Sequence, residues 1–529
     1  MNYRYGLISA LLIIGCLLIF PAATPSAAED ESARIMALGG GAVEGIIPDF
    51  YTDFRNNPAV LGGWEKTTAF YRLVNPDPAR LSLYSIDSEW NLYQHYLEYR
   101  SPVNAADFFW GGGESKWKFA ISSIWKLSET EESSNRIYYN SEDYRAVMTE
   151  EADDIWLLDL TAAYRIDDDL SLGVRLGGRG TYNRYKRRWF DYSSYYRYVD
   201  GREVIGSVST RDNGYEEIFR RVSLYLEGGL RADYENGEFS ELSFSVSRSA
   251  NTSYTDGWDF SLRKDYDEFS GTTYLTDQRY GSGIMENLAE GDSWKFGFKG
   301  RHRTESGYIV TAAGSYERCV HDGSRFEADT ELDYDYVAED QEELYESLYF
   351  KGEGAFDGIS GALKVGRKLT LRKELDLYIG FTGFGSHIGW NYDPVTEYKL
   401  SSRRDDDYYS ERSSDRTEFA VDVNRAVIYL PISLEFKPAS FFTYFASAIP
   451  FLHAEMTTRK LGMPDSGRYN NINHICNNEV TTRNLWTDYN FNTGFRLNYR
   501  EKIYIDLFAG STLFTERLSY LDINIGYNF

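Results

Sequence analysis

Hydrophobic and polar residues alternate with a period of two along most of the chain. The last segment is the clearest: Leu521, Ile523, Ile525, Tyr527 and Phe529 fall on one side, Asp522, Asn524, Gly526 and Asn528 on the other. Residues 485–500 repeat the pattern, with Leu485, Tyr489, Phe491, Phe495, Leu497 and Tyr499 opposing Asp488, Asn490, Asn492, Arg496 and Asn498. Trp294, Phe296 and Phe298 alternate with Lys295, Gly297 and Lys299. A β-strand sends successive side chains to opposite faces, so each run is a strand with one apolar and one polar face. The pattern predicts sixteen strands, at 66–74, 89–100, 116–127, 154–166, 169–181, 218–234, 238–250, 292–303, 307–319, 357–371, 374–390, 420–437, 440–457, 485–500, 502–514 and 517–529. Most reach the roughly 9–11 residues that a tilted strand needs to cross a bilayer.

The connections alternate in length. Short links (Asp167-Asp168, Glu235-Asn236-Gly237, Thr304-Glu305-Ser306, Arg372-Lys373, Pro438-Ala439, Glu501) take turns with long ones at 128–153, 182–217, 251–291, 320–356, 391–419 and 458–484. Short periplasmic turns and long external loops are what an outer-membrane barrel produces, and a soluble sandwich has no reason to keep them in step. The fold class expected is therefore all-β: an antiparallel transmembrane β-barrel of about 14–16 strands. A sheet in lipid must close, because every backbone polar group there needs a partner. Apolar faces such as Trp117, Phe119 and Ile121 then meet lipid, and the other faces line the lumen: Lys118 and Lys126, Arg175 and Arg179, Glu227 and Arg231, Lys295 and Lys299, Lys364, Arg496 and Asp506. Strand 440–457 departs from this rule, with Phe441, Phe445, Ile449 and Phe451 on its inner face. A register break near Pro450 is the preferred account, and an apolar patch inside the barrel is the other.

Composition narrows the picture. The 529 residues carry a formal net charge of −25, which argues against a nucleic-acid partner. Most of that charge falls in the long connections, as solvated surface. The segment 327–346, EADTELDYDYVAEDQEELYE, is the place for divalent cations bridging to anionic headgroups, yet it lacks calcium-loop spacing. Aromatic residues make up 16 %, including 44 Tyr, which excludes a disordered chain. Arg4, the apolar run 6–20, Pro21 and Ser26-Ala27-Ala28 read as a secretory signal peptide spanning 1–28. A retained anchor, or a lipobox at Ile13-Ile14-Gly15-Cys16, are the alternatives. Export permits a disulfide between Cys319 and Cys476, although two cysteines fix no pattern and free thiols are the plainer reading.

The six histidines (His95, His302, His321, His387, His453, His474) form no HExxH or CxxC-type spacing, so no metal site is expected. No GxSxG elbow or phosphate-binding GxxxxGK[ST] loop occurs. His453 or His387 beside a serine is the only arrangement that resembles catalysis, and a lone strand histidine is more often structural. The expectation is no enzyme and no cofactor.

Residues 29–65 are not strand-like. Ser32-Ala33-Arg34, Leu38-Gly39-Gly40-Gly41-Ala42, the acids Asp49 and Asp53, and Asn57-Pro58-Ala59 resemble the N-terminal hatch of the FadL-like outer-membrane family. That family includes long-chain fatty-acid and aromatic-hydrocarbon transporters and PorV-like barrels of type IX secretion. The middle of the motif departs, since Phe50, Tyr51 and Phe54 are bulkier than usual and Val60 follows Asn-Pro-Ala. The resemblance implies a hatch at 29–65 inside a barrel at 66–529. Gly39, Gly40, Gly41, Asp49, Asp53, Asn57, Pro58 and Ala59 are then the gating residues. It also implies transport or binding of small hydrophobic molecules such as long-chain fatty acids. A PorV-like secretion or surface-anchoring barrel that meets a secreted protein, and a general polar porin, are the alternatives. The alternating C-terminal strand ending in Tyr527 and Phe529 resembles the signal read by the barrel assembly machinery. Outer-membrane lipid and lipopolysaccharide complete the expected partners, and the bacterial outer membrane is the expected location.

Overall fold

A computed structural model describes residues 33–64, 67–74, 80–86, 92–98, 105–112, 115–137, 144–199, 202–269, 272–335, 340–404, 407–416, 418–462, 479–499, 503–512 and 520–528. The signal segment, Phe529, Cys476, His474 and the expected link at Glu501 lie outside these residues. Among the described residues twenty strands, numbered β1 to β20 in chain order, form one sheet. Every pairing between named strands is antiparallel. No described helix is long and apolar enough to cross a membrane, which says nothing of strands.

The ring starts at β1 (Thr68–Val74), passes to β4 (Ala105–Gly112), and continues through β5 (Trp117–Ile137), β6 (Tyr144–Arg165), β7 (Leu170–Val199), β8 (Arg202–Asp233) and β9 (Phe239–Phe269). It runs on through β10 (Thr272–Arg303), β11 (Tyr308–Asp335), β12 (Asp340–Arg372) and β13 (Leu375–Arg404). β15 (Glu418–Tyr429) and β16 (Ile432–Ala439) together make the next position, followed by β17 (Phe442–Gly462), β18 (Glu479–Tyr499), β19 (Ile503–Thr512) and β20 (Tyr520–Asn528). Thr68 to Leu73 then pair with Asn528 to Ile523, so the first strand closes on the last. Closure removes both sheet edges, which is what lipid demands.

Three sequence expectations need correction. The strand expected at 89–100 is not the second position of the ring. β3 (Leu92–Glu98) pairs with β2 (Arg80–Ile86) and with the far part of β5, and Ala105–Gly112 takes the ring position. Among the described residues, the segments read as long loops are mostly strand: β7 to β13 each run 28 to 33 residues, with only a few residues between one strand and the next. At about 3.3 Å per residue, thirty residues extend roughly 100 Å, far more than a bilayer needs. Both faces of these extensions carry polar and aromatic side chains, so no apolar stripe marked them. Lastly, β17 shows no register break at Pro450, which pairs with Tyr489 in an unbroken run from Phe442↔Leu497 to Lys460↔Glu479. The shift lies at the neighbouring turn, between Phe436 and Ala439. Phe445 and Ile449 do face inward, at 1 % and 2 % exposure, whereas Phe441 is exposed beside the turn.

Outward rows are apolar and exposed, as at Trp117, Phe119 and Trp125, or Val174 and Leu176. Inward rows are buried and polar: Lys118, Ser122, Asp159, Arg175, Glu227 and Arg301. The cause of that burial is the N-terminal segment 33–64, which packs against them. It holds a helix at Ala33–Leu38, a 3-10 turn at Gly40–Ala42, a second helix at Phe50–Asn56 and a 3-10 turn at Pro58–Gly63. Ile35, Ala37, Leu38, Val43 and Ile47 form one apolar cluster with Tyr378 and Phe445 of the wall. Tyr51, Phe54 and Leu61 form another with Ala120 and Ala163.

Candidate functional site

The candidate site is the seam between the N-terminal segment and the inner wall, together with the lumen directly above it. Local sequence explains the segment's shape. Asp49 caps the second helix, accepting from the Thr52 amide at 3.2 Å, while its own amide donates to Asp53 Oδ2 at 3.2 Å. Asn57 is extended (φ −152°, ψ 114°), as a residue before proline prefers, and its Oδ1 accepts from the Ala59 amide at 3.0 Å. Pro58 then opens the 3-10 turn, where its missing amide costs nothing. Gly39 takes φ +129°, a region open to glycine, beside Ile449.

The wall grips this segment by its backbone carbonyls. Ser447 Oγ donates to Ala37 O at 3.1 Å, Ser433 Oγ to Leu38 O, Thr382 Oγ1 to Ala42 O at 2.7 Å, and Thr311 Oγ1 to Gly45 O at 3.0 Å. Further round, Ser243 Oγ donates to Asn56 O at 3.1 Å and Ser171 Oγ to Ala59 O at 3.0 Å. Asn57 Nδ2 in turn donates to Leu230 O at 3.1 Å. Gly173 and Gly229 are cross-strand partners on β7 and β8, and a methyl group on either would strike Pro58 and Ala59 backbone or Asn57 Oδ1. The Asn-Pro-Ala turn thus sits in a dent made of two paired glycines.

Four buried charge stations reinforce the seam. Arg34 pairs with Glu435 at 2.9 Å and lies 3.6 Å from Asp49. Glu44 meets Lys299 at 3.0 Å and Lys364 at 3.2 Å, and Lys364 also donates to Gly41 O at 2.8 Å. Burial opposes ionisation of Glu44, but these two ammonium groups outweigh it and hold its carboxyl well below the usual range. Arg55 pairs with Asp159 at 2.6 Å, and Tyr225 Oη donates to the same carboxylate. Arg175 reaches Arg55 O at 2.7 Å, Phe54 O and Glu227 at 2.8 Å, with its guanidinium 4.7 Å over the Phe54 ring.

A fifth station is less complete. Arg301 Nη1 approaches Asp53 at 2.6 Å, while Arg301 Nε and Nη2 find no hydrogen-bond partner among the described residues. Arg301 also lies 3.6 Å from Glu241, which Arg231 holds at 2.8 Å alongside Asp233. Burial pushes the Asp53 carboxyl up to about 6 against the pull of Arg301, and Glu241 adds to the rise.

The residues expected to line the lumen divide into several groups. Arg175, Glu227 and Lys299 join the seam; Lys118 is buried on the same inner face; Arg231 belongs to the fifth station. Arg496 and Asp506 pair with each other in the wall at 2.6 Å. Arg179 and Lys295 lie beyond the seam, near Glu317 and Arg221. The Lys126 side chain lies outside the described residues. Tyr527 pairs through its backbone with Ala69 and Ile503. Cys319 carries no disulfide among the described residues, and Cys476 lies outside them. His302 lies 2.9 Å from Ser240, and His387 3.0 Å from Asn424.

Sequence reasoning did not single out Arg34, Glu44, Arg55, Asp159, Arg301, Glu241 and Glu435 as seam residues, nor the wall glycines. Alternation places the wall carboxylates and glycines inward; which segment they meet depends on pairing across 100 to 400 residues. The Gly173–Gly229 dent had a faint signal, glycine at an inward position of two consecutive strands.

Above the first helix the lumen changes character. Thr382 points inward to Ala42, so its row partners Tyr429 and Phe451 do too, and Phe384, His453 and Trp486 follow one step along. Phe384 meets Tyr429 edge-on at 5.7 Å, Tyr429 meets Phe451 at 5.6 Å, and His453 stacks on Trp486 at 3.8 Å. These rings form an aromatic arc on β13, β15, β17 and β18, next to Ile449 and the Gly39 turn. No group of three or more metal-ligating side chains occurs among the described residues.

No family model matches the chain, and no curated protein matches it. Among solved structures it is similar to the Pseudomonas putida toluene transporter TodX at 9 % identity, covering 95 % of this chain and 99 % of that one, with a TM-score of 0.34. A Pseudomonas aeruginosa FadL homologue gives 9 % identity, 96 % and 99 % coverage and a TM-score of 0.30. The siderophore receptor PirA from Acinetobacter baumannii gives 8 %, 88 % and 80 %, and 0.25. Scores this low carry no argument about cargo. The fold rests on the strand pairing itself: one antiparallel sheet closed into a β-barrel, an architecture consistent with an outer-membrane protein.

Proposed function

We propose that this chain is an outer-membrane β-barrel that binds and passes small hydrophobic molecules, long-chain fatty acids among them, with residues 33–64 as its hatch. The observation that carries this reading is the aromatic arc. Phe384, Tyr429, Phe451, His453 and Trp486 gather on four neighbouring strands of the inner wall, in the rows that begin at Thr382, the residue that holds Ala42 O of the hatch. An apolar ligand gains from burial against such rings at about 25 cal/mol per Å² of apolar area, and it leaves the charged rows in water. The hatch below it is held by hydrogen bonds to its carbonyls, which can be exchanged one at a time, and by buried charges, which resist removal. A polar porin is disfavoured, because this hatch occupies the inner wall on many sides.

The strand extensions favour a second reading, a surface-anchoring barrel of the PorV-like kind. Walls rising roughly 100 Å along the strand present far more surface than uptake requires.

The two readings separate in one experiment. Labelled oleate is titrated onto refolded, detergent-solubilised barrel, with unlabelled alkanes and aromatics as competitors. The transport reading expects saturable, competable binding that weakens at least tenfold in Trp486→Ala and Phe451→Ala. Absence of saturable binding by a folded barrel would leave the surface-anchoring reading.

A further inference from the structure

The outer face of the same strands carries a second feature. His387, Asn424, Met456 and Arg483 are register partners across β13, β15, β17 and β18, and all four point outward. The next row toward the short turns is Gly385, Ala426, Ala454 and Leu485. Three small residues beside a row of long ones leave a furrow, a cavity of about 560 Å³ with a mostly apolar lining.

Its height gives it meaning. Below the furrow the outward rows are apolar and exposed: Ile428 and Leu452, then Phe381 and Tyr489, then Ile379, Ile432 and Phe491. Above it they turn polar, with Asp422, Thr458 and Thr481 in the first row. From the turn at Leu375 to His387, strand rise and a tilt of about 40° give roughly 30 Å, close to the height of a barrel's apolar band. The furrow lies at the boundary between acyl chains and headgroups of the outer leaflet.

Its ends differ in chemistry. Arg483 is exposed at one end, beside the neutral Thr458–Thr481 pair, and makes no ion pair among the described residues. At the other end stand Asn424, hydrogen-bonded to His387 at 3.0 Å, and Asp422. A guanidinium suits a phosphate, and a carboxylate with an amide suits sugar hydroxyls. Two strand spacings separate Arg483 on β18 from Asp422 and Asn424 on β15, about 10 Å. We infer that this furrow seats a phosphorylated glycolipid of the outer leaflet, lipid A in chemistry. Its phosphate lies on Arg483, its sugar hydroxyls on Asp422 and Asn424, and its acyl chains on Ala426, Ala454 and the rows below.

The inference rests on the outer-membrane reading, and the test keeps the two apart. Wild-type barrel is inserted into phosphatidylethanolamine vesicles doped with lipid A, extracted in detergent, and its retained lipid measured by native mass spectrometry. One retained lipid A is expected, with dephosphorylated lipid A retained at least tenfold less and millimolar inorganic phosphate displacing none. Arg483→Gln and Ala454→Trp, which fills the furrow, lower retention at least tenfold, whereas Lys437→Gln at the opposite end of the wall leaves it unchanged. Equal retention of dephosphorylated lipid, displacement by free phosphate, or wild-type retention in both furrow variants would overturn the proposal. That comparison of lipids needs no variant to fold. A wild-type chain that fails to insert would overturn the membrane reading, whereas insertion without lipid preference overturns the furrow alone.

Discussion

Asn57 does three things with one short side chain. It caps the 3-10 turn, it enters proline in the extended conformation proline prefers, and it ties the turn to Leu230 of the wall. Asn57→Ala is expected to cost about 1–2 kcal/mol, a lost cap plus a half-buried hydrogen bond, read from urea unfolding of the refolded barrel. The paired glycines beneath it leave no room for a side chain. Gly173→Val is expected to unseat the turn, seen as new protease cleavage within 50–64 while the strands stay protected. Unchanged cleavage would mean that the dent is not the seat. Among the charges, Arg55→Ala strands Asp159 in a buried site and is expected to cost about 3–5 kcal/mol. Asp53 carries the pH dependence. Its folded value of about 6 exceeds the ordinary 3.8, so the folded state binds the proton more tightly. Its contribution then strengthens as pH falls through 6 toward 3.8 and weakens as pH rises through 6. Asp53→Asn is expected to flatten hatch stability between pH 4 and 7; a slope that survives the substitution assigns it to another group.

Among the elements, the strands divide into two parts with different causes. Near the short turns, alternation is strict because one face is apolar and exposed and the other is polar and packs on residues 33–64, and that part was legible in the sequence: fifteen of the sixteen expected strands contribute a position to the ring. Farther out, water bathes both faces, so the pattern fades while the pairing continues. Cross-strand ion pairs replace it, such as Arg188–Asp212 and Arg211–Asp259 at 2.5 and 2.8 Å. Exposed pairs of this kind contribute about 0–1 kcal/mol each, so the extensions are held by many small terms. Replacing residues 186–216 with a two-residue Asn-Gly turn between the register partners Tyr185 and Glu217 is expected to leave the rest folded, with the heat-modifiable gel shift of a closed barrel intact. Loss of that shift would make the β7–β8 extension part of the folding core. The strand at 89–100 was misplaced for a related reason. Period two identifies a strand but not its neighbour, and the ring position went to Ala105–Gly112.

For the whole molecule, the account joins a hatch gripped by the wall to an aromatic arc above it. The Asn-Pro-Ala and triple-glycine elements were legible as turns, because turn chemistry is local, and both are 3-10 turns. The grip was not, since Arg34–Glu435 and Lys364–Glu44 join residues more than 300 positions apart. The arc was visible only at Phe451: with Phe445 and Ile449 it broke the alternation of one strand, where Phe445 packs on Ala33–Leu38 and Ile449 lies beside Gly39. The central claim is that cargo passes only when this helix shifts. Ala37 O and Ser447 Oγ are 3.1 Å apart, so the direct test is uptake of labelled oleate by cells carrying Ala37→Cys with Ser447→Cys. Once the disulfide is shown to form, the account predicts uptake at background, restored to the level of the single variants by reductant. Undiminished uptake through the locked barrel would contradict it.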